Sequence, residues 1–140
     1  MNYLRDTNVV SEWVKPRPAA GVIAWLAEAN EDALFLGVCT LAEIHLGVAA
    51  MPKGRRRDRL DDWLRNDLVA RFDGRVVPVD LPIAAAWGEV SAAARYKGRL
   101  IDAMDGLIAA TAQVYGMTII THDTTDFQAT GVALLNPWDG

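Results

Sequence analysis

A chain of 140 residues, 51% hydrophobic and 23% charged, is long enough for one sizeable core, and its composition excludes a disordered or fibrous protein. A net charge of −4 speaks against holding nucleic acid by bulk attraction, yet leaves room for an acidic site with basic residues gathered elsewhere. Cys39 is the only cysteine, which excludes an intrachain disulfide and a thiolate zinc site. No apolar run approaches the ~20 residues of a membrane helix. The first residues lack the basic-then-apolar pattern of a signal peptide, so a cytoplasmic protein without membrane association is expected.

Met1 to Leu4 is a short extended start, and Asp6-Thr7-Asn8 is a turn or helix-cap signal. Val9, Val10, Trp13 and Val14 form a helical stripe that Lys15-Pro16-Arg17-Pro18 stops. A second helix is predicted from Ala19 to Ala29 and a buried strand from Leu34 to Val38. Thr40-Leu41-Ala42-Glu43 opens the next helix, and Pro52-Lys53-Gly54 breaks it. Arg55 to Phe72 is helical by pattern, with Leu60, Trp63, Leu64 and Leu68 on one side. Val76 to Val79 is a brief strand ended by Asp80, and Pro82 suits the first turn of a helix through Tyr96. Gly98-Arg99 leads to a helix over Ile101 to Ala112 and beyond, followed by the strands Met117 to Ile120 and Val132 to Leu135.

Short strands alternating with helices along the whole chain predict an α/β fold of three layers, a short, mainly parallel β-sheet flanked by helices. With no repeats, linkers or low-complexity tracts, residues 1–140 read as a single domain. The pattern does not give the strand order.

Acids stand at the junctions. Asp6 follows the first strand, Glu43 falls early in the helix after the second, and Asp123 and Asp126 follow the fourth; Asp102 and Asp105 open the helix before it. In an open parallel sheet the carboxyl ends of the strands form the ligand-binding edge, and Asp6, Glu43 and Asp123 are predicted to lie there. Taken singly, each acid is as readily a helix cap as a ligand. Thr40-x-x-Glu43 fits a capping box, Asp102-x-x-Asp105 resembles one, and Asp6 or Asp123 suits an N-cap. Convergence favours the other reading. Several carboxylates around one cleft repel each other, and a hard ion such as Mg²⁺ or Mn²⁺ relieves that repulsion. Such an ion can activate water for phosphodiester hydrolysis without a histidine, cysteine or serine nucleophile.

Five ordered stretches then resemble one family. They are Leu4 to Glu12, Thr40 to Ile44, Ile101 to Ala112, Thr121 to Phe127 and Leu135 to Trp138, and together they span nearly the whole chain. The sequence resembles PIN-domain proteins, and within them the VapC toxins of bacterial toxin–antitoxin pairs, in the FitB-like branch. That resemblance implies a Mg²⁺- or Mn²⁺-dependent endoribonuclease with a catalytic, metal-binding set of Asp6, Glu43, Asp105 and, as fourth member, Asp123. Relatives often carry Asn at the Asp123 position, which makes Asp126 a further contributor. Asp102 is either an outer ligand or a cap. Thr7, Asn8, Thr40 and Thr121 are placed to hold the carboxylates by hydrogen bonds. The resemblance also implies an RNA substrate, a homodimer, and a VapB-type antitoxin whose tail covers the groove in a larger assembly. Gly106 departs from the alanine common in relatives and is suited to a close backbone approach.

Other features carry blander readings. His122 reads as an exposed loop residue, and His45, two positions after Glu43, faces away from it. Arg55 to Arg59 reads as a solvated basic helix start, whereas Arg95, Lys97 and Arg99 are better placed to contact substrate at the cleft mouth. Trp25, Trp63 and Trp87 suit a core or dimer interface, Trp13 a groove for the antitoxin, and Trp138 a plug that packs the last strand down. Two competing classes are a phospho-receiver domain and a non-catalytic binding module whose acids are caps. The first expects a paired acid after strand one and a lysine after the last strand, where this chain has Asp6 alone and Asn136-Pro137-Trp138.

Overall fold

The computed structural model describes residues 1–12 and 15–139; Trp13 and Val14, assigned above to a helical stripe and to a partner groove, lie outside the described residues. Five parallel strands form one sheet: β1 (Tyr3–Arg5), β2 (Leu34–Gly37), β3 (Val76–Val77), β4 (Thr118–Ile120) and β5 (Leu134–Leu135), in the order β3-β2-β1-β4-β5. The helices are α1 (Thr7–Glu12), α2 (Ala20–Glu28), α3 (Val38–Ala49), α4 (Arg55–Asp62), α5 (Val69–Arg71), α6 (Leu81–Tyr96), α7 (Ala103–Tyr115) and α8 (Thr124–Phe127). The expected α/β architecture is therefore present. Among the described residues no helix is long and apolar enough to cross a membrane.

Strand alternation builds two cores. Leu4, Phe35, Val77, Ile119 and Leu134 point to one face, where Ile83, Ala86 and Val90 of α6 meet Ile108, Ala109 and Ala112 of α7. Tyr3, Leu34, Leu36, Val76, Ile120 and Leu135 point to the other, against Val9 and Val10 of α1, Ile44 and Val48 of α3, and Leu64 and Leu68. Both faces are covered, as a parallel sheet requires, and β2 in particular reads as an unbroken apolar run, Leu34-Phe35-Leu36.

Some boundaries differ from the sequence reading. The helix predicted to open at Thr40 begins at Val38, capped by the extended Gly37, so the apolar run of β2 passes straight into α3. Arg55 to Arg71 is helical as expected, but Trp63–Leu68 is wound more widely, as a π-helix. The strand predicted over Val76 to Val79 is confined to Val76–Val77. Trp25 and Trp63 pack against the second core. At the C-terminus, Pro137 carbonyl oxygen lies where a Cβ on Gly21 would meet it at 2.6 Å, so only glycine lets this segment settle on α2.

Candidate metal centre

Reversal of strand order about β1 places the site. The chain moves outward from β1 to β2 and β3, then crosses to β4 and β5 on the other side. At such a switch point the loops after neighbouring strands diverge and leave a crevice. Asp6 stands immediately after β1, its backbone N–H donating to Ile120 O at 3.0 Å, which locks the ends of β1 and β4 together.

Three carboxylates converge there. One oxygen each from Asp6, Glu43 and Asp105 lies within 4.8 Å of the others. Asp6 is 5% exposed. Its Oδ1 accepts from Thr7 N at 2.8 Å, and its Oδ2 accepts from Thr121 Oγ1 at 2.8 Å and Asn8 Nδ2 at 3.3 Å. Burial raises the Asp6 carboxyl above its ordinary range, opposed by the Thr121 and Thr7 hydrogen bonds and reinforced by the charges of Glu43 and Asp123. Glu43 is the sixth residue of α3, and its Oε1 accepts from Thr7 Oγ1 at 2.8 Å. One threonine thus ties two of the three acids.

Asp105 is held differently. It is the third residue of α7, and its carboxylate accepts no hydrogen bond from any described residue. Its carboxyl is pushed up to about 7, first by burial and then by the charges of Asp6, Glu43, Asp102 and Asp126. Such crowding is unfavourable for a set of anions alone, and it is relieved by a cation. An all-oxygen donor set suits a hard divalent ion.

The remaining acids stand outside this trio. Asp123 is exposed; its Oδ2 accepts from Asn8 Nδ2 at 2.9 Å, and its N–H donates to Thr121 Oγ1 at 3.0 Å. Asp102 occupies the N-cap position of α7, but its side chain makes no capping bond. Asp126 and Asp102 line a cavity of about 320 Å³ with Arg99, Asp105 and Thr125. Lys97 Nζ donates to Ala129 O at 3.1 Å, and Arg95 is exposed in the last turn of α6. On the Glu43 side, Thr7, Val10, Ile44, Leu60 and Trp63 border an apolar cleft of about 210 Å³.

Neither capping box forms. Thr40, inside α3, sends its hydroxyl to Arg5 O at 3.4 Å, and Glu43 turns to Thr7 instead. Asn8 is a hub: besides Asp6 and Asp123 it reaches Thr121 Oγ1 at 3.5 Å, and its Oδ1 accepts from His122 N at 3.1 Å. The exposed His122 ring stacks on Trp138, centroids 4.5 Å apart. His45 borders a separate depression with Arg57, Asp58 and Asp61.

Two charged residues went unread in the sequence. Arg5, the residue before Asp6, is fully buried; its guanidinium donates to Val9 O at 3.5 Å and lies 5.6 Å from the Phe72 ring centroid. Burial pulls it down to about 10. The signal was the two-residue period of β1, which puts Arg5 on the inward face of Tyr3. Glu12, 4% exposed, receives Ala19 N at 2.7 Å and pairs with Lys15 at 2.8 Å, joining the end of α1 to the start of α2.

Residues 3–132 match the PIN domain. Toxin FitB of Neisseria gonorrhoeae is 40% identical over 135 residues, covering 96% of this chain and 97% of that protein. VapC ribonuclease Y4jK of Sinorhizobium fredii is 39% identical over 134 residues, 96% of each. The structure of FitAB bound to an IR36 DNA fragment is similar with a TM-score of 0.91 at 40% identity, covering 97% of this chain and 95% of that one.

Proposed function

This chain belongs to the PIN-domain family, and from that membership we propose that it is a divalent-metal-dependent endoribonuclease, the toxin of a toxin–antitoxin pair. The observation that carries the reading is the convergence of Asp6, Glu43 and Asp105 within 4.8 Å at the switch point of the sheet. A Mg²⁺ or Mn²⁺ ion bound there supplies activation of water and neutralisation of charge at a phosphodiester.

The chain's own residues do the positioning. Thr7 spans Asp6 and Glu43 with its N–H and its hydroxyl, which fixes their separation. Thr121 and Asn8 orient the second oxygen of Asp6. Asp123 supports Asn8 and Thr121 from outside, the part of an outer carboxylate. Arg99 lines the cavity that Asp105 borders, where its cation can meet an RNA phosphate and offset the acids around it. Likeness to FitAB, solved bound to a DNA fragment, supports a cognate antitoxin as partner in an oligomeric, DNA-bound complex, and a toxin homodimer within it is part of the proposal. A cytoplasmic site of action is part of the same proposal.

The test is cleavage of RNA by the chain purified free of antitoxin, with Mg²⁺ or Mn²⁺. Asp6→Asn and Asp105→Asn should each lower the rate by more than the ~10–100-fold typical of outer-shell partners. Equal cleavage by all three proteins would overturn the proposal.

A further inference from the structure

Asp6 and Glu43 are fixed by hydrogen bonds to their carboxylates, whereas nothing described holds the carboxylate of Asp105. Its placement depends on the first turn of α7. That turn is gripped from α6. Trp87 donates its indole Nε1–H to Ala103 O at 3.3 Å, reaching across to the first residue of α7. The ring lies over Gly106, the residue after Asp105. A Cβ at Gly106 would come within 2.9 Å of Trp87 Nε1 and 3.1 Å of its Cδ1, and 3.4 Å from Ser91 Oγ.

Glycine inside a helix is unfavourable relative to alanine, because the unfolded chain has more freedom to lose. Gly106 also has ordinary helical company, with its N–H donating to Asp102 O at 2.8 Å and no left-handed backbone to require it. What requires it is the notch for the indole. Trp87 is 38% exposed, and its indole N–H makes its hydrogen bond with this turn.

The geometry points to Trp87 as a positioning residue for the metal centre, seated in the Gly106 notch and holding the α7 turn so that Asp105 faces Asp6 and Glu43. This rests on the metal-site reading of the trio. It concerns Asp105 alone, since neither Trp87 nor Gly106 touches the other two acids through any described hydrogen bond.

Calorimetric Mn²⁺ titration of the full chain, with thermal unfolding of the metal-free protein run alongside, tests it at a temperature where every variant is folded. Gly106→Ala should weaken Mn²⁺ binding at least ~tenfold, as displaced outer-shell partners do. Trp87→Phe keeps an aromatic ring but loses the indole N–H, so its loss should be smaller, about three- to tenfold, with an unfolding midpoint near wild type. The Gly106→Ala change should cost nothing further in a Trp87→Ala background, because the clash is gone. Wild-type affinity in Gly106→Ala and Trp87→Phe, or equal Gly106→Ala losses with and without Trp87, would overturn the positioning role while leaving the metal site intact. No Mn²⁺ binding by the wild-type chain would overturn the metal site and this role with it.

Discussion

The two halves of the acidic cluster are built on opposite principles. Asp6 and Glu43 come from the β1 and β2 junctions and are knitted together by Thr7, Thr121 and Asn8. Asp105 comes from α7, its carboxylate takes no hydrogen bond from a described residue, and it bears burial and the charge of its neighbours, with its carboxyl pushed up to about 7. One half is ordered by hydrogen bonds within the protein; the other bears a repulsion that a cation would relieve. An ion bound at such a site would couple its binding to release of a proton, above all from Asp105.

Removing the two kinds of acid should move stability in opposite directions. Asp6→Ala strands the Thr7 N–H and the Thr121 hydroxyl, and should destabilise the metal-free chain by about 1–3 kcal/mol. Asp105→Asn removes a crowded charge and should raise the metal-free unfolding midpoint at pH 8. Thermal unfolding with a chelator present checks both. A lower midpoint for Asp105→Asn would erase the contrast.

The same contrast has a pH signature. An unfolded aspartate titrates near 4, whereas Asp105 in the fold is pushed up to about 7. Between these values the native state binds the extra proton, so this group's contribution to metal-free stability is complete below about pH 4 and is lost as pH rises through about 7. Asp6, also raised, acts in the same sense. Mn²⁺ competes for the same oxygens, so its affinity should climb over that interval. Unfolding midpoints from pH 5 to 8, with and without Mn²⁺, should diverge in wild type, and the metal-free decline should flatten in Asp105→Asn.

Smaller effects fall on the supporting residues. Thr7→Val breaks the bridge between Asp6 and Glu43 and should weaken Mn²⁺ about tenfold. Asp123→Asn still offers an oxygen to Asn8 Nδ2, so its change should be the least, below about threefold. The reverse order would move Asp123 into the inner set.

Much of this was legible in the sequence, for physical reasons. A parallel sheet buried on both faces forces unbroken apolar runs, and Leu34 to Leu36 and Ile119-Ile120 stand out for that cause. Asp6 was visible as the acid that directly follows the first short extended segment. Apart from the family resemblance, Glu43 and Asp105 read only as acids near helix starts, where capping and ligation look alike; their partners decide between these, and Thr7 lies 36 residues from Glu43. The strand order was hidden because crossovers leave no local mark, and with it the switch point. Gly106 stood out as an oddity, but its cause, an indole arriving from α6, is written 19 positions away.

Most direct is the Mn²⁺ binding isotherm of the antitoxin-free chain near pH 7.5, set beside those of Asp6→Asn, Glu43→Gln, Asp105→Asn and Asp123→Asn. A cluster acting as one metal centre predicts saturable binding in wild type and Asp123→Asn, abolished in the other three. Undiminished binding in Asp6→Asn, Glu43→Gln and Asp105→Asn, or none in wild type, would contradict it.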